Sequence, residues 1–327
     1  MRLYGKDHVK SVLDAAAKEG RLPHALLLCG DRGVGRRVMA NYAAKLILCG
    51  VPPCESCAVC RKINSEAHPD VIYPKRILAE LGYTTYKMGD HREFIDILDS
   101  FIIRPNDGDF KVYIFEDFDE MPAQLQNTLL KSIEEPPKHL RFVFTCENIS
   151  KVITTIRSRV TEYEVLAAPP EECAAALVER GVERQKAAEL SDTFSGNIGR
   201  CIEALGDSVF TELAECSARA AAGIARGDFC AVAAALSERS SRADFDFVLN
   251  GLMAVLRDAL AHKAGQPMTS GSRKEAANIA AAYSEAAILG MLDTLFEVIP
   301  HGSLNLNLAL SAAYVTAQFS KAKEYNG

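Results

Sequence analysis

A short apolar run that ends in a glycine-rich turn and leads into a helix constrains the fold most strongly. The run Ala25–Cys29 (ALLLC) precedes the turn GDRGVG, and an apolar stripe over Arg36–Leu48 predicts the helix that follows. Three further buried strands are predicted, at Val71–Tyr73, Val112–Phe115 and Arg141–Thr145. Short apolar strands that alternate with helices predict an α/β fold, a parallel sheet with helices on both faces.

The remainder of the chain has helical periodicity. The dipeptide Pro169–Pro170 marks a break, after which a compact helical pattern runs to Leu205. An alanine-rich region with helical spacing then continues to the C-terminus. A chain of 327 residues is long enough for two or three domains. We therefore predict three: an α/β domain at 1–166, a small helical domain at 167–206 and a helical domain at 207–327.

Composition excludes several classes of protein. Apolar residues make up 48% of the chain, too many for a disordered protein. No apolar run reaches the roughly 18 residues of a membrane span, and the N-terminus lacks the apolar block of a secretory signal, so we expect a cytoplasmic protein without membrane contact. The net charge of −6 argues against a module that binds duplex DNA without a partner.

The glycine-rich turn has the spacing of a phosphate-binding loop. Gly30 and Gly35, with Gly33 between them, stand where backbone amides must approach phosphate without interference from a Cβ atom. A working loop then needs a lysine for the β- and γ-phosphates and a hydroxyl for Mg²⁺. Arg36 and Arg37 occupy those two positions, and arginine cannot ligate a cation. An impaired nucleotide site fits this pattern better than the alternative, a plain tight turn between strand and helix.

The carboxylates after the strand VYIF also differ from those of a working ATPase. An ATPase of this architecture needs aspartate for Mg²⁺ and then glutamate for the attacking water, but the chain has Glu116 and then Asp117. Asp117 is shorter than glutamate by about 1.5 Å, and a misplacement of about 1 Å can cost roughly a hundredfold in rate. The four substitutions together argue against ATP hydrolysis and make ATP binding doubtful.

Four cysteines lie within twelve residues. Cys49, Cys54, Cys57 and Cys60 suit a closed tetrahedral Zn²⁺ site, whose role would be structural because no coordination position stays open. An iron–sulfur cluster and free buried thiols are the alternatives. The other six cysteines are predicted to pack in the core: Cys29, Cys146, Cys173, Cys201, Cys216 and Cys230.

Several segments, in order, resemble one family over essentially the whole chain. They are HALLLCGDRGVGR, the four-cysteine insert at 49–60, LLKSIEEPP at Leu129–Pro137, FVFTCEN, TIRSRV at Thr155–Val160, SGNIGRCIEAL at Ser195–Leu205 and NLNLALSAA near the C-terminus. These segments resemble the AAA+ subunits of the bacterial DNA polymerase III clamp loader. Within that family, the altered loop and exchanged carboxylates are similar to the delta-prime type rather than to the gamma/tau ATPases.

The resemblance implies roles for individual residues. Ser158-Arg159 matches a motif whose arginine reaches the ATP of a neighbouring subunit as a trans arginine finger, whereas the alternative is an ordinary surface arginine. Thr145 matches a polar sensor at a strand end. Arg200 matches a second sensor, and a helix-surface salt bridge is equally open for it. The degenerate nucleotide site would thus comprise Gly30, Gly33, Gly35, Arg36, Arg37, Glu116, Asp117, Thr145 and Arg200.

The resemblance further implies an AAA+ domain, a helical lid and an all-α collar that assembles with sister subunits. The expected function is that of a non-hydrolysing subunit in the DNA polymerase III holoenzyme, within the complex that loads the sliding clamp on primed DNA. Its expected partners are gamma/tau and delta subunits and, through the complex, the clamp and primer–template DNA. Two alternatives stay open: an active gamma/tau-like ATPase, and a zinc-dependent nucleic-acid-binding module acting alone.

Overall fold

Five parallel strands form the centre of the first part of the chain. The computed structural model describes residues 3–83, 86, 92–206, 208–237, 241–266, 268, 272–299 and 307–324. The strands are β1 (Ala25–Cys29), β2 (Val71–Ile72), β3 (Lys111–Phe115), β4 (Leu140–Cys146) and β5 (Thr161–Glu164). They pair in the order β2-β3-β4-β1-β5, and every neighbouring pair is parallel. The predicted α/β class is therefore confirmed.

Among the described residues, eight helices accompany these strands. They are α1 (Asp7–Lys18), α2 (Arg36–Leu48), α3 (Ala58–Asn64), α4 (Pro74–Glu80), α5 (Arg92–Asp99), α6 (Ala123–Thr128), α7 (Leu130–Glu134) and α8 (Thr154–Arg157). Short 3₁₀ turns lie at Ser100–Ile102, Phe118–Glu120 and Ile149–Lys151. Together, strands and helices form one of two compact units, which spans Met1–Ala168; the other spans Pro169–Gly327.

Most strand boundaries agree with the sequence to within a residue. Strand β2 stops at Ile72 rather than Tyr73, because Pro74 fixes the first helical position of α4 and Tyr73 becomes its N-cap. Strands β3 and β4 are slightly longer than predicted. Strand β5 was not predicted: its residues TEYE are mostly exposed at the sheet edge, so it lacks the apolar pattern that marks the other strands.

Alternate strand residues fill two separate cores, one on each face of the sheet. Leu26, Leu28 and Ile114 pack on one face with the buried side chains of α1 and α2. Leu27, Phe115 and Phe144 belong to the other face, which α5, α6 and α7 help to cover. All of these strand side chains are fully buried. Burial on both faces explains why the strands read as continuous apolar runs rather than as alternating patterns.

The second unit is entirely helical in its described residues. Its helices are α9 (Pro170–Val178), α10 (Arg184–Thr193), α11 (Ile198–Gly206), α12 (Ser208–Arg226), α13 (Phe229–Ser237), α14 (Arg242–Lys263), α15 (Arg273–Ala282), α16 (Glu285–Val298) and α17 (Leu308–Glu324). Residues from α12 to α17 form one large apolar core. The predicted helical C-terminal region is confirmed. Among the described residues, we find no helix with the length and hydrophobicity needed to cross a bilayer.

Two of the six cysteines outside the cluster depart from the predicted core packing. Cys230 is exposed, because α13 turns Val232, Ala235 and Leu236 inward and Cys230 lies about 200° around the helix from Val232. Cys29 is only partly buried, since it ends β1 at the edge where the glycine-rich turn begins. The remaining four are buried, as predicted: Cys146, Cys173, Cys201 and Cys216.

The aromatic layer on one face of the sheet should be the most sensitive part of the first unit. The ring of Phe144 lies 5.3 Å from that of Phe115 and 4.6 Å from that of Phe118, between centroids. We expect Phe144→Ala to destabilise the unit by about 3–5 kcal/mol, because it leaves a cavity where the ring was. Hydrogen exchange of β3 and β4 amides in the full chain should then accelerate more than about a hundredfold. Ile102→Ala serves as the control, because Ile102 is 79% exposed; a similar acceleration in that variant would contradict the assignment.

Candidate functional site

The glycine-rich loop joins the end of β1 to the start of α2, as the sequence indicates. A Cβ atom on Gly30 would lie 2.2 Å from the carbonyl oxygen of Val165, so only glycine fits between the loop and the chain beyond β5. Gly33 and Gly35 have positive φ angles of 88° and 100°. Gly35 is also the N-cap of α2, so the amides at the helix start face the loop, which is the geometry of an anion-binding turn.

Both arginines that follow the loop are already engaged with acidic side chains. The Arg36 side chain is 9% exposed, and its Nη2 lies 3.2 Å from Oδ1 of Asp117. Its Nη1 is buried and has no hydrogen-bond partner among the described residues. Arg37 is more exposed; its Nε lies 2.8 Å from Oε1 of Glu116 and its Nη2 lies 2.7 Å from Oε1 of Glu66. Arg36 and Arg37 thus pair with the two carboxylates that the sequence singled out.

Strand register brings the carboxylates to the loop. Phe115 pairs with Phe144 across β3 and β4, so the next residues along, Glu116 and Thr145, lie level at the carboxyl edge of the sheet. Thr145 is buried, and its Oγ1 accepts a hydrogen bond of 3.0 Å from the backbone amide of Asp117. Asp117 has a left-handed backbone, with φ 47°. Burial raises the pKa of the Glu116 carboxyl, and Arg37 offsets part of that rise.

The structure adds cations and carboxylates that the sequence analysis missed. Lys75 Nζ lies 2.6 Å from Oδ2 of Asp117 and 2.8 Å from Oε2 of Glu120. Burial lowers the pKa of Lys75, but these two hydrogen bonds more than offset it, so the pKa stands above its ordinary value. Arg76 pairs with Glu66. Lys75 follows the end of β2, the strand next to β3, and that position was the available signal, because ends of parallel strands meet at one edge.

We name this set the ion-pair cluster and keep the name below. It comprises Arg36, Arg37, Lys75 and Arg76 with Glu66, Glu116, Asp117 and Glu120. Four cations face four carboxylates, so the cluster is balanced in charge without any bound ion. The groups that would bind Mg²⁺ and phosphate in an ATPase therefore already hold each other.

Arg159 and Arg200 lie in different parts of the chain. Arg159 follows α8 in the first unit, and its Nη1 donates to the Thr155 carbonyl at 2.8 Å and to Oγ of Ser158 at 3.0 Å. Its Nη2 lies 2.7 Å from Oε1 of Glu134, at the end of α7. The Arg159 side chain remains 38% exposed. Arg200 lies on α11, in the second unit, and is partly buried.

The link between Arg159 and Glu134 was not predicted from the sequence. Glu134 belongs to the segment LLKSIEEPP, whose helix ends before Pro136 as expected. Nothing in the sequence pattern indicates that this segment contacts the motif that contains Arg159. Three contacts thus hold the guanidinium of Arg159 in one direction. Because the side chain is partly exposed, it is still open to a group outside this chain.

The four clustered cysteines come together in a small loop after α2. Cys49 is the C-cap of α2, and Cys57 is the N-cap of α3. The four sulfur atoms all lie within 4.8 Å of one another. The Sγ atom of Cys49 lies 3.7 Å from those of Cys54 and Cys57. Four sulfurs about 2.3 Å from a tetrahedral Zn²⁺ would stand about 3.8 Å apart, so these residues fit a four-thiolate metal site.

Backbone amides around the cluster favour thiolates. The amide of Cys57 donates to Sγ of Cys54 at 3.2 Å, and the amide of Cys60 donates to Sγ of Cys57 at 3.4 Å. Hydrogen bonds from the amides of Ser56 and Cys57 lower the pKa of the Cys54 thiol to about 6. Burial raises the pKa of Cys60 to about 12. A bound cation would be needed to hold all four as thiolates at neutral pH.

The cluster predicts a measurable metal content. We expect the purified full chain to carry about one Zn²⁺, and Cys57→Ser to lose most of it, because one of four ligands is removed. Mass spectrometry of metals gives the stoichiometry, and the absence of visible absorption separates Zn²⁺ from an iron–sulfur cluster. Cys230→Ser is the matched control, since Cys230 is exposed and outside the cluster. A wild-type chain that binds no metal, or one that binds iron and sulfide, would contradict the assignment.

The first unit matches a known protein family. Residues 5–168 match the family model described as DNA polymerase III, delta subunit. The chain is 32% identical over 167 residues to the DNA polymerase III subunit gamma of Buchnera aphidicola subsp. Acyrthosiphon pisum. This aligned region is 50% of this chain and 44% of that protein. The chain is 33% identical over 168 residues to the subunit tau of Escherichia coli, covering 50% of this chain and 25% of that one. The matched region is thus less than half of these relatives.

Among solved structures, a DNA polymerase III gamma subunit-related protein from Thermotoga maritima aligns over 95% of this chain and 99% of its own, at 14% identity and a TM-score of 0.43. At that score the structural similarity does not bear on function. The family model, in contrast, covers half of the chain and includes the loop, the cysteine cluster and Arg159. The chain therefore belongs to the DNA polymerase III delta subunit family, among the clamp-loader AAA+ proteins.

Proposed function

We propose that this chain is a clamp-loader subunit that does not hydrolyse ATP itself and lends Arg159 to the ATP site of a neighbouring subunit. In this proposal it is delta-prime-like and works in the DNA polymerase III holoenzyme with gamma/tau and delta subunits. The complex would load the sliding clamp on primer–template DNA. Family membership supports the setting, and the residues at the loop support the absence of hydrolysis.

The ion-pair cluster carries this proposal. A Mg²⁺ ion between Glu116 and Asp117 would have to displace Arg37 and Arg36, which lie 2.8 Å and 3.2 Å from those carboxylates. The Arg36 and Glu116 side chains are only 9% and 12% exposed, so separating these pairs would leave buried charges without partners. Arg37 also has no oxygen to offer a metal ion. Arginines thus stand beside the carboxylates that would hold Mg²⁺ in an ATPase.

A second candidate function is an active gamma/tau-like ATPase. The names of the curated relatives favour it, because the proteins matched at about 30% identity are gamma and tau subunits. One feature of the loop is compatible with nucleotide binding: Nη1 of Arg36 is a buried donor that a phosphate oxygen could accept from. The two functions differ in turnover, which decides between them.

The proposed role of the second unit rests on the resemblance. In this proposal, residues 167–206 form a helical lid and residues 207–327 form a collar that assembles with sister subunits. Thr145 and Arg200 would be the remnants of two nucleotide sensors. The buried Thr145 accepts a hydrogen bond from the amide of Asp117, so it helps to position this residue of the ion-pair cluster.

The first test is ATP turnover by the chain alone. We expect no hydrolysis above background with Mg²⁺, because the metal-binding carboxylates are paired with arginines. Nucleotide binding with and without Mg²⁺ is measured in the same preparation, by fluorescence anisotropy of a labelled ATP. Arg36→Ala is the companion variant. Turnover in the wild type that disappears in Arg36→Ala would contradict the proposal and support the active ATPase.

The second test concerns Arg159 in the assembled complex. We expect Arg159→Ala to leave assembly intact and to lower the DNA-stimulated ATPase rate at least tenfold at the site it serves, because arginine fingers contribute about 10³–10⁵ in rate elsewhere. Arg157→Ala is a matched control: Arg157 lies two residues away, is 35% exposed and pairs with Glu162 at 2.9 Å. Equal rates for the Arg159→Ala and wild-type complexes would contradict the finger assignment.

Glu134→Gln keeps the charge of Arg159 and removes the ion pair that helps to orient its side chain. The ion pair is exposed on both sides and should contribute about 0–1 kcal/mol. Because Arg159 keeps its contacts with Thr155 and Ser158, we expect the ATPase rate of this complex to change by less than about fivefold. A loss as large as that of Arg159→Ala would instead give Glu134 an essential role at the site.

A further inference from the structure

One charged contact joins helix α2 to the cysteine loop. Nζ of Lys45, in the last turn of α2, lies 2.7 Å from both carboxylate oxygens of Glu55. Glu55 stands between Cys54 and Cys57 in the loop. The Lys45 side chain is 5% exposed, whereas that of Glu55 is 34% exposed. A lysine so deeply buried needs a partner for its charge, and Glu55 supplies it.

The same helix end carries the first cysteine of the cluster. Cys49 follows Lys45 by one helical turn, and its amide donates to the Lys45 carbonyl at 2.8 Å. Lys45 and Cys49 are therefore rigidly related through α2. The other three cysteines belong to the loop and to the start of α3. The Lys45–Glu55 contact thus spans the gap between the one ligand on the helix and the three beyond it.

Glu55 also has an unusual backbone. Its φ is 58°, in the left-handed region that residues other than glycine rarely adopt. This conformation lies inside the turn whose amide at Cys57 donates to Sγ of Cys54. A backbone of this kind persists only where surrounding contacts hold it. The bidentate contact with Lys45 is such a contact, because it fixes the side chain of the residue with the positive φ.

We infer that Lys45 and Glu55 are positioning residues of the four-cysteine metal centre, which hold Cys54, Cys57 and Cys60 against Cys49 before the metal binds. Ordering the loop in advance removes part of the entropy that metal binding would otherwise have to offset. The inference rests on the proposed Zn²⁺ centre. It assigns the pair a role in metal affinity, beyond the general stability of α2.

The test compares zinc affinity in full-length variants. Lys45→Met keeps the length of the buried side chain and removes its charge, and Glu55→Gln keeps the shape of the loop residue. Competition with a chromogenic zinc chelator gives the affinity. We expect both variants to bind Zn²⁺ about 10–100-fold more weakly than wild type, the range seen when groups that orient metal ligands are removed. The Co²⁺-substituted variants should keep a tetrahedral thiolate spectrum, because all four ligands remain.

A matched control and a second readout separate positioning from packing. Lys62→Met removes a lysine of α3 that is 47% exposed and pairs with Asp107, so its zinc affinity should stay within about twofold of wild type. Thermal unfolding with and without Zn²⁺ gives the stabilisation by metal, which should shrink in both Lys45→Met and Glu55→Gln. The metal-free midpoint should be kept in Lys45→Met and should fall in Glu55→Gln, because that variant removes the carboxylate that pairs with the buried Lys45. Affinities equal to that of Lys62→Met would overturn the inference. Equal loss of stability with and without metal would overturn it as well. A wild-type chain without zinc would instead remove the metal centre itself, which distinguishes the two failures.

Discussion

The parallel pairing of β1, β3 and β4 brings the glycine-rich loop, Glu116, Asp117 and Thr145 to one edge of the sheet. Because Phe115 is level with Phe144 and Leu28 is level with Thr145, the residues that follow these strands meet at one edge of the sheet. The same pairing buries both faces of the strands, so the edge is held by two cores at once. The loop, the two carboxylates and Thr145 are therefore fixed by the packing of side chains that take no part in chemistry.

At that edge, charge is balanced within the chain. In an ATPase the carboxylates after β3 hold a metal ion, and the cations of the loop hold phosphate. Here Arg36 and Arg37 pair directly with Asp117 and Glu116, and Lys75 adds a further cation from the start of α4. The carboxylates and the cations of this site therefore neutralise each other. The exposed Arg159 contacts Glu134, Thr155 and Ser158.

The cysteine cluster is likewise held by contacts within the chain. Two helix ends supply it, since Cys49 caps α2 and Cys57 begins α3. Backbone amides point at the sulfur atoms, which favours thiolates, and a buried lysine reaches across to the loop through Glu55. In both places, a cation of α2 pairs with an acidic residue brought from another part of the chain. Helix α2 thus connects the nucleotide-type loop with the cysteine cluster.

The sequence alone determined the α/β class, four of the five strands, the glycine-rich turn before α2 and the grouping of the four cysteines. These features are local, because apolar runs, glycine spacing and close cysteine spacing each leave a signal within a few residues. Only the tertiary structure decided the edge strand β5, whose exposed residues carry no apolar signal. It also decided the exposure of Cys230 and the pairing of Arg37 with Glu116, of Arg159 with Glu134 and of Lys45 with Glu55. Such pairs join separate turns of the chain, and a charge in a sequence does not specify which opposite charge the fold will bring beside it.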